Sequence, residues 1–199
     1  MNQRIFLDIN SFSRHTGWAH WFMGPYAYFG GVVLLALLLL AGYLLARRRD
    51  QPVAVAAALW TGLASLIGLG ISQIFNHAVQ EPRPYVTLAH VLVLVPRTTD
   101  FAFPSDHAVV TGAVVAGLFL VDRRLAWTAT VVGALLVFAR VYVGAHYPGD
   151  VLAGLGIGLT VTLLGWLVVR PVLALLVRTL ARTPLRPLLL AHPATGASS

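Results

Sequence analysis

Five runs of apolar residues, each close to the length that crosses a bilayer, organise the chain: 25–46, 53–75, 104–121, 125–144 and 150–176. A membrane-spanning helix needs about 20 predominantly apolar residues. Inside hydrocarbon every backbone N–H and C=O must pair within the protein, so such runs predict helices rather than open strands. Residues 1–24 follow another pattern. Ile5, Phe6, Leu7 and Ile9 are set among polar residues, and Phe12, Trp18, Trp21 and Phe22 follow. An amphipathic stretch rich in Trp predicts a segment lying in the membrane interface. From 177 onward Pro184, Pro187 and Pro193 interrupt the chain, which ends in small and polar residues, the pattern of a poorly ordered tail. The expected fold class is all-α. It is a polytopic membrane helical bundle of about five transmembrane helices over 25–176, with the interfacial segment 1–24 before it and a cytoplasmic tail, 177–199, after it.

Composition sharpens this picture. Of the 199 residues 58% are hydrophobic and only 11% are charged, whereas soluble domains carry about 25% charged residues. A globule of this size has too little interior to hide so much apolar surface. A soluble enzyme, a disordered chain and a fibre are therefore excluded. All 14 basic residues are arginine and the net charge is +7. These arginines do not suggest nucleic acid, because most sit in linkers. Arg47, Arg48 and Arg49 follow the first run, Arg123 and Arg124 separate the third and fourth, and Arg178, Arg182 and Arg186 follow the fifth. With five spans those linkers share one side, which the positive-inside rule makes cytoplasmic. The N-terminus is then outside and the C-terminus inside. Cysteine is absent, so disulfides and thiolate chemistry are excluded. The first apolar run starts too late, and lacks a basic stretch directly before it, to read as a cleavable signal.

Many of the remaining polar residues gather towards the other side. The linker after the second run holds Asn76, His77, Glu81, Arg83, His90, Arg97 and Asp100. Ser105, Asp106 and His107 open the third run, and Arg140, His146 and Asp150 flank the turn between the fourth and fifth. Ionisable groups near hydrocarbon are costly and point to function. Arginine is a planar, permanently charged fork that suits phosphate oxygens. Histidine can act as nucleophile or general acid near neutral pH. Two of each, with a carboxylate to orient one histidine, suit phosphoryl transfer. The alternative is a metal site drawn from His77, Asp100, Asp106, His107, His146 and Asp150. Two nearby arginines would repel a cation, and zinc sites usually show tighter ligand pairs, so phosphate is favoured.

Pro148 suits the first turn of a helix. If the fifth helix starts near Tyr147, His146 and Asp150 lie four residues apart on one face. Asp150 can then orient one ring nitrogen and leave the other free to attack, or it can simply be a carboxylate favoured at a helix N-terminus. Ser105 likewise reads either as a plain N-cap or as part of an anion site at the start of the third helix.

Together these stretches resemble the type 2 phosphatidic acid phosphatase superfamily, whose soluble relatives include vanadium haloperoxidases. The motif Lys-x6-Arg-Pro reads Asn76 to Arg83-Pro84. Pro-Ser-Gly-His reads Pro104-Ser105-Asp106-His107, and Ser-Arg-x5-His-x3-Asp reads Ala139-Arg140, His146 and Asp150. The resemblance covers about residues 60–165. It implies that His146 forms a phosphohistidine, that Asp150 orients it and that His107 protonates the leaving oxygen. Arg83, Arg140 and Ser105 would hold the phosphate oxygens, and no metal or other cofactor is implied. Three departures stand out. Asn76 removes a charge but keeps a donor, Asp106 sets a carboxylate beside His107, and Ala139 removes a hydroxyl. His77 is a further candidate for the headgroup. The segment around Leu88 and Val91 to Leu94 reads as a connector or as a gate lying on the membrane. The motif surroundings are most similar to the bacitracin-resistance branch of bacterial undecaprenyl-diphosphate phosphatases. That implies a polyprenyl diphosphate substrate, membrane lipids as the surroundings, and a site on the outer face of the plasma membrane. The competing expectations are a phosphatase of phosphatidylglycerol phosphate or phosphatidate, and a non-enzymatic anion-binding membrane protein.

Overall fold

The structure, a computed structural model, describes residues 2–191; of the expected tail, residues 192–199, Pro193 among them, lie outside the described residues. Helix α1 (Asn2–His15) buries Phe6, Asn10 and Ser13 along one face, at the three-to-four spacing of an amphipathic helix. Phe6 packs edge-on against Tyr147, with ring centroids 5.4 Å apart, in a cluster with Ala108, Val141 and Val151.

After a break at Thr16, one helical segment runs from Gly17 to Arg48. The helical segment that carries the first apolar run thus starts at Gly17, before residue 25, and Trp18 and Trp21 belong to its first turns. It consists of a 3-10 turn (Gly17–Ala19), α2 (His20–Pro25), a π-helical turn (Tyr26–Gly30) and α3 (Gly31–Arg48). Pro25 has no N–H to donate, and the turn that follows it is widened. The Gly31 N–H, which would reach Ala27 in an α-helix, donates to the Tyr26 carbonyl instead. The Ala27 carbonyl is thereby released from its regular partner.

The chain continues through α4 (Pro52–Val79), a single turn α5 (Pro84–Thr87), α6 (Asp106–Val121), α7 (Arg123–Tyr142), α8 (Pro148–Leu180) and a short α9 (Arg186–Leu189). Among the described residues, four segments are long and apolar enough to cross a membrane: Gly17–Arg48, Pro52–Thr87, Arg123–Tyr142 and Pro148–Leu180. Helix α6 has 16 residues, about 24 Å at 1.5 Å per residue, and falls short of the roughly 30 Å hydrocarbon thickness. It is the central helix, packed against α3, α4, α7 and α8. Its N-terminal end is roofed by the linker, so that Ser105 is fully buried.

Glycines bring α6 and α8 together, as in many membrane helix pairs. A Cβ at Gly158 would collide with the Val109 carbonyl oxygen, and one at Gly112 with that of Leu155. Because the obstacle is backbone, Gly158→Ala should destabilise the protein by about 1–3 kcal/mol, read as a lower unfolding temperature in detergent; an unchanged temperature would contradict this packing.

The tail expectation needs correction as far as the described residues go. Helix α8 continues to Leu180, and the chain then folds back on α3. Leu189 and Leu190 are buried in the cluster that contains Ala46, Val55 and Trp60. Arg47 Nε donates to the Pro187 carbonyl at 2.7 Å, the Tyr43 hydroxyl donates to the Leu188 carbonyl, and Ala191 N–H donates to the Arg47 carbonyl at 3.1 Å. The prolines end the helix, but the leucines between them still find apolar surface to cover. At this same end Arg49 pairs with Asp122 at 3.1 Å. Asp122 also caps α7 by accepting from the Arg124 and Leu125 N–H groups. These amide bonds outweigh the modest effect of burial and, with Arg49, hold its carboxyl below the usual range.

Candidate active site

At the opposite end lies a chamber of about 160 Å³ lined by Tyr28, Asn76, Arg83, Tyr85, Asp100, Asp106, His107, Arg140 and His146, among others. It unites the three polar stretches of the sequence with the widened turn of the first span. His146 reaches it from the tight turn between α7 and α8. That turn needs Gly144, which has φ +80° and lies too close to the Leu92 carbonyl for a side chain. The linker is tied to the same turn by Leu94 N–H donating to the Val143 carbonyl at 3.1 Å. Leu92 is clasped in turn by Asn10 of α1, which donates to its carbonyl at 2.8 Å and accepts its N–H at 3.0 Å.

The tautomer of His146 follows from its neighbours. Nε2 faces Arg140 Nη2 at 3.1 Å and Arg83 Nη1 at 3.3 Å. A guanidinium can only donate, so Nε2 must offer its lone pair. Nδ1 faces the Ala102 carbonyl at 2.9 Å and must carry the hydrogen. Burial, followed by the charges of Arg140 and Arg83, holds the imidazole well below its ordinary pKa. At neutral pH His146 therefore presents an uncharged Nε2 lone pair between two cations.

Asp150 stands in the first turn of α8, the place of a carboxylate favoured at a helix N-terminus. Its Oδ2 accepts the Tyr147 N–H at 2.8 Å, tightening the start of α8, and lies 3.5 Å from His146 Nδ1. The nearer acceptor for that nitrogen is the Ala102 carbonyl. Arg83 is held by Asp100, with Nη2 to Oδ2 at 2.9 Å and Nε to Oδ1 at 3.2 Å, so Asp100 is its ion-pair partner. Partial burial pushes Asp100 up, but hydrogen bonds from Thr98 and Arg83 and the Arg83 charge outweigh it and leave the carboxyl below its usual value. Arg140 Nη1 donates to the Ala27 carbonyl at 3.0 Å, and His107 Nε2 donates to the Tyr28 carbonyl at 3.1 Å.

Other sequence candidates take different places. Ser105 stands at the N-cap of α6, yet its side chain makes no capping bond. Its buried hydroxyl has no protein partner. Asn76 lines the chamber but donates its amide to the Phe101 and Phe103 carbonyls, at 3.2 and 3.1 Å; it braces the linker instead of offering a free donor. His77 is bonded to the Gln73 carbonyl of its own helix at 2.8 Å and does not line the chamber. Arg97 stacks over Tyr85, 5.4 Å from the ring centroid. Among the described residues, no three His, Asp or Glu side chains are grouped so as to hold a metal ion. The Ala27, Tyr28 and Ala102 carbonyls leave no side-chain signal in the sequence, where Asp100 stands only as a candidate metal ligand.

The chamber can accept a tetrahedral anion whose oxygens replace Nε2 as acceptors for both guanidinium groups, leaving the lone pair facing the central atom. Residues 54–173 match the profile of the PAP2 superfamily. The chain belongs to this superfamily. It is 32% identical over 165 residues to the undecaprenyl-diphosphatase BcrC of Bacillus subtilis, a match covering 81% of this chain and 80% of the relative. The crystal structure of Aquifex aeolicus LpxE superposes with a TM-score of 0.60 at 25% identity, covering 82% of this chain and 93% of the other. A PAP2-type phosphatidylglycerolphosphate phosphatase from Bacillus subtilis shares the fold, with a TM-score of 0.59 at 20% identity over 81% and 83% of the two chains. This PAP2 chain is a multi-pass, all-helical membrane phosphatase.

Proposed function

We propose that the protein hydrolyses undecaprenyl diphosphate to undecaprenyl phosphate and inorganic phosphate through a phosphohistidine on His146. The observation that carries this reading is the His146 Nε2 lone pair held between Arg83 and Arg140, at 3.3 and 3.1 Å. When the terminal phosphate enters, the guanidinium groups turn to its oxygens, joined by the Ser105 hydroxyl, and stabilise the charge of the transition state. Nε2 attacks phosphorus in line with the bridging oxygen. The P–O bond breaks as His107, carrying a proton taken up with the anionic substrate, gives that proton to the departing lipid monophosphate. Water, deprotonated by His107, then attacks the phosphohistidine, and the P–N bond breaks to release phosphate and restore the Nε2 lone pair. Asp150 steadies the His146 turn throughout.

The identity to BcrC over four-fifths of both chains supports the diphosphate substrate. A phosphatidylglycerophosphatase B of Bacillus subtilis is 30% identical over a shorter stretch, 50% of this chain, so phosphatidylglycerol phosphate is the substrate to test beside it. The arginine-rich linkers at the end opposite the chamber support a plasma-membrane protein with its chamber outside, its C-terminus inside and α1 at the outer interface. Purified protein should release phosphate from undecaprenyl diphosphate faster than from phosphatidylglycerol phosphate or phosphatidate, equally well with chelator present. Preference for another lipid would change the substrate, and loss of turnover with chelator would overturn the metal-free chemistry.

A further inference from the structure

Asp106, where the resembling motif has glycine, lines the phosphate chamber, but both its carboxylate oxygens are bonded to α4. Its Oδ1 accepts the Ser72 hydroxyl at 2.5 Å and its Oδ2 accepts Gln73 Nε2 at 3.1 Å. Both partners are on α4. Other buried hydroxyls on that helix bond to their own backbone one turn earlier, Thr61 to the Ala57 carbonyl and Ser65 to that of Thr61, as is usual in apolar helices. Ser72 is fully buried and instead reaches across to α6. A short hydroxyl-to-carboxylate bond is of the stronger, charge-assisted kind. One turn further along α4, Asn76 holds the Phe101 and Phe103 carbonyls. Ser72, Gln73 and Asn76 thus form a rail that grips the first turn of α6 on one side and the linker before it on the other.

The first turn of α6 needs such a grip. Ser105 does not cap its helix, and its hydroxyl is unpartnered. The Ser105 N–H bond to the Asp150 carbonyl at 3.1 Å, the His107 bond to the Tyr28 carbonyl at 3.1 Å and the tie through Asp106 together set this turn's rotation about its own axis. We propose that Asp106, Ser72 and Gln73 are positioning residues: their cross-helix bonds fix Ser105 and His107, on either side of Asp106, in the geometry that receives a phosphate. The effect on turnover rests on the hydrolase reading; the effect on anion binding does not.

The test compares wild type with Asp106→Ala, Ser72→Ala, the double variant and Asp106→Asn, and includes His146→Ala as the inactive control. Two quantities are measured on protein in detergent: the dissociation constant for orthovanadate by calorimetry, and kcat with undecaprenyl diphosphate. A dissociation constant belongs to each folded site, so loss of folded protein does not move it. Asp106→Ala and Ser72→Ala should each weaken vanadate binding and lower kcat by about tenfold, and the double variant should be no worse than the worse single one. Asp106→Asn, which still accepts from Ser72, should stay within about threefold of wild type. Unchanged vanadate affinity in Asp106→Ala, additive losses, or an Asp106→Asn as impaired as the alanine variant would each overturn the proposal. Absence of phosphate release by wild type would instead defeat the hydrolase reading, while the vanadate series still decides the positioning role.

Discussion

His146→Ala should lower phosphate release by at least about 10⁴-fold, or about 5 kcal/mol of transition-state stabilisation. No other side chain in the chamber offers an equivalent nucleophile. His107 binds the Tyr28 carbonyl through Nε2 and does not present that nitrogen between the two guanidinium groups as His146 does, and the arginines have no lone pair to give. Arg83 and Arg140 would remain in the variant and keep some phosphate affinity. Binding should therefore survive better than turnover, and the acid-labile phosphorylated protein trapped from wild type should be missing. The measurement is phosphate release and trapped label, with the unfolding temperature as a check on folding. A variant that turns over like wild type would remove His146 from the mechanism.

Arg83→Ala and Arg140→Ala form the second large expectation. Each deletes a donor aimed at charge that develops in the transition state, a change that typically costs about 10²–10³-fold in rate. Lysine should not restore the loss, because it cannot present a planar fork. Each substitution should also leave a signature in pH. Burial comes first among the causes that keep His146 well below its ordinary pKa, and the two arginine charges add to it. Only the neutral imidazole can attack. In wild type the acid limb of kcat/KM that belongs to His146 therefore lies well below pH 6.5, the usual histidine value. Removing a neighbouring cation makes the protonated ring less unfavourable, so its pKa rises and the acid limb moves to higher pH. A limb that stays put, or moves down, would refute this account of the electrostatics. Asp100 loses its partner in Arg83→Ala, but its side chain is 56% exposed, so water can take over much of that role.

The five apolar runs were legible in the sequence because a bilayer demands contiguous apolar residues, and each run corresponds to a helix. Their ends were less so. Trp18 and Trp21 suit both an interfacial segment and the first turns of a span, and the local pattern does not separate the two. The proline-rich tail looked unstructured because prolines stop helices, yet Leu189 and Leu190 are buried against other helices, a long-range effect that no local pattern encodes. In the chamber, Arg83, Arg140, His107 and His146 were readable because charge near hydrocarbon is conspicuous. Ser105 reads in the sequence either as a helix cap or as part of an anion site; its buried hydroxyl makes no capping bond. Asn76 was expected to offer a donor, but its amide binds two carbonyls. Hydrogen bonds to main-chain oxygens decide the orientation of His146, His107 and Arg140, and any residue type can supply those oxygens.

The widened turn after Pro25 has a consequence for how such proteins can diverge. The family profile begins at residue 54, beyond the first span. Yet Ala27 and Tyr28 in that span hold Arg140 and His107 by their carbonyls. As far as these two bonds are concerned, side chains at 27 and 28 are interchangeable; the backbone detour is not. The first span can thus drift in sequence until it no longer looks related and still serve the reaction. A chain cut back to the recognisable core would lose two of the supports on which its chemistry stands.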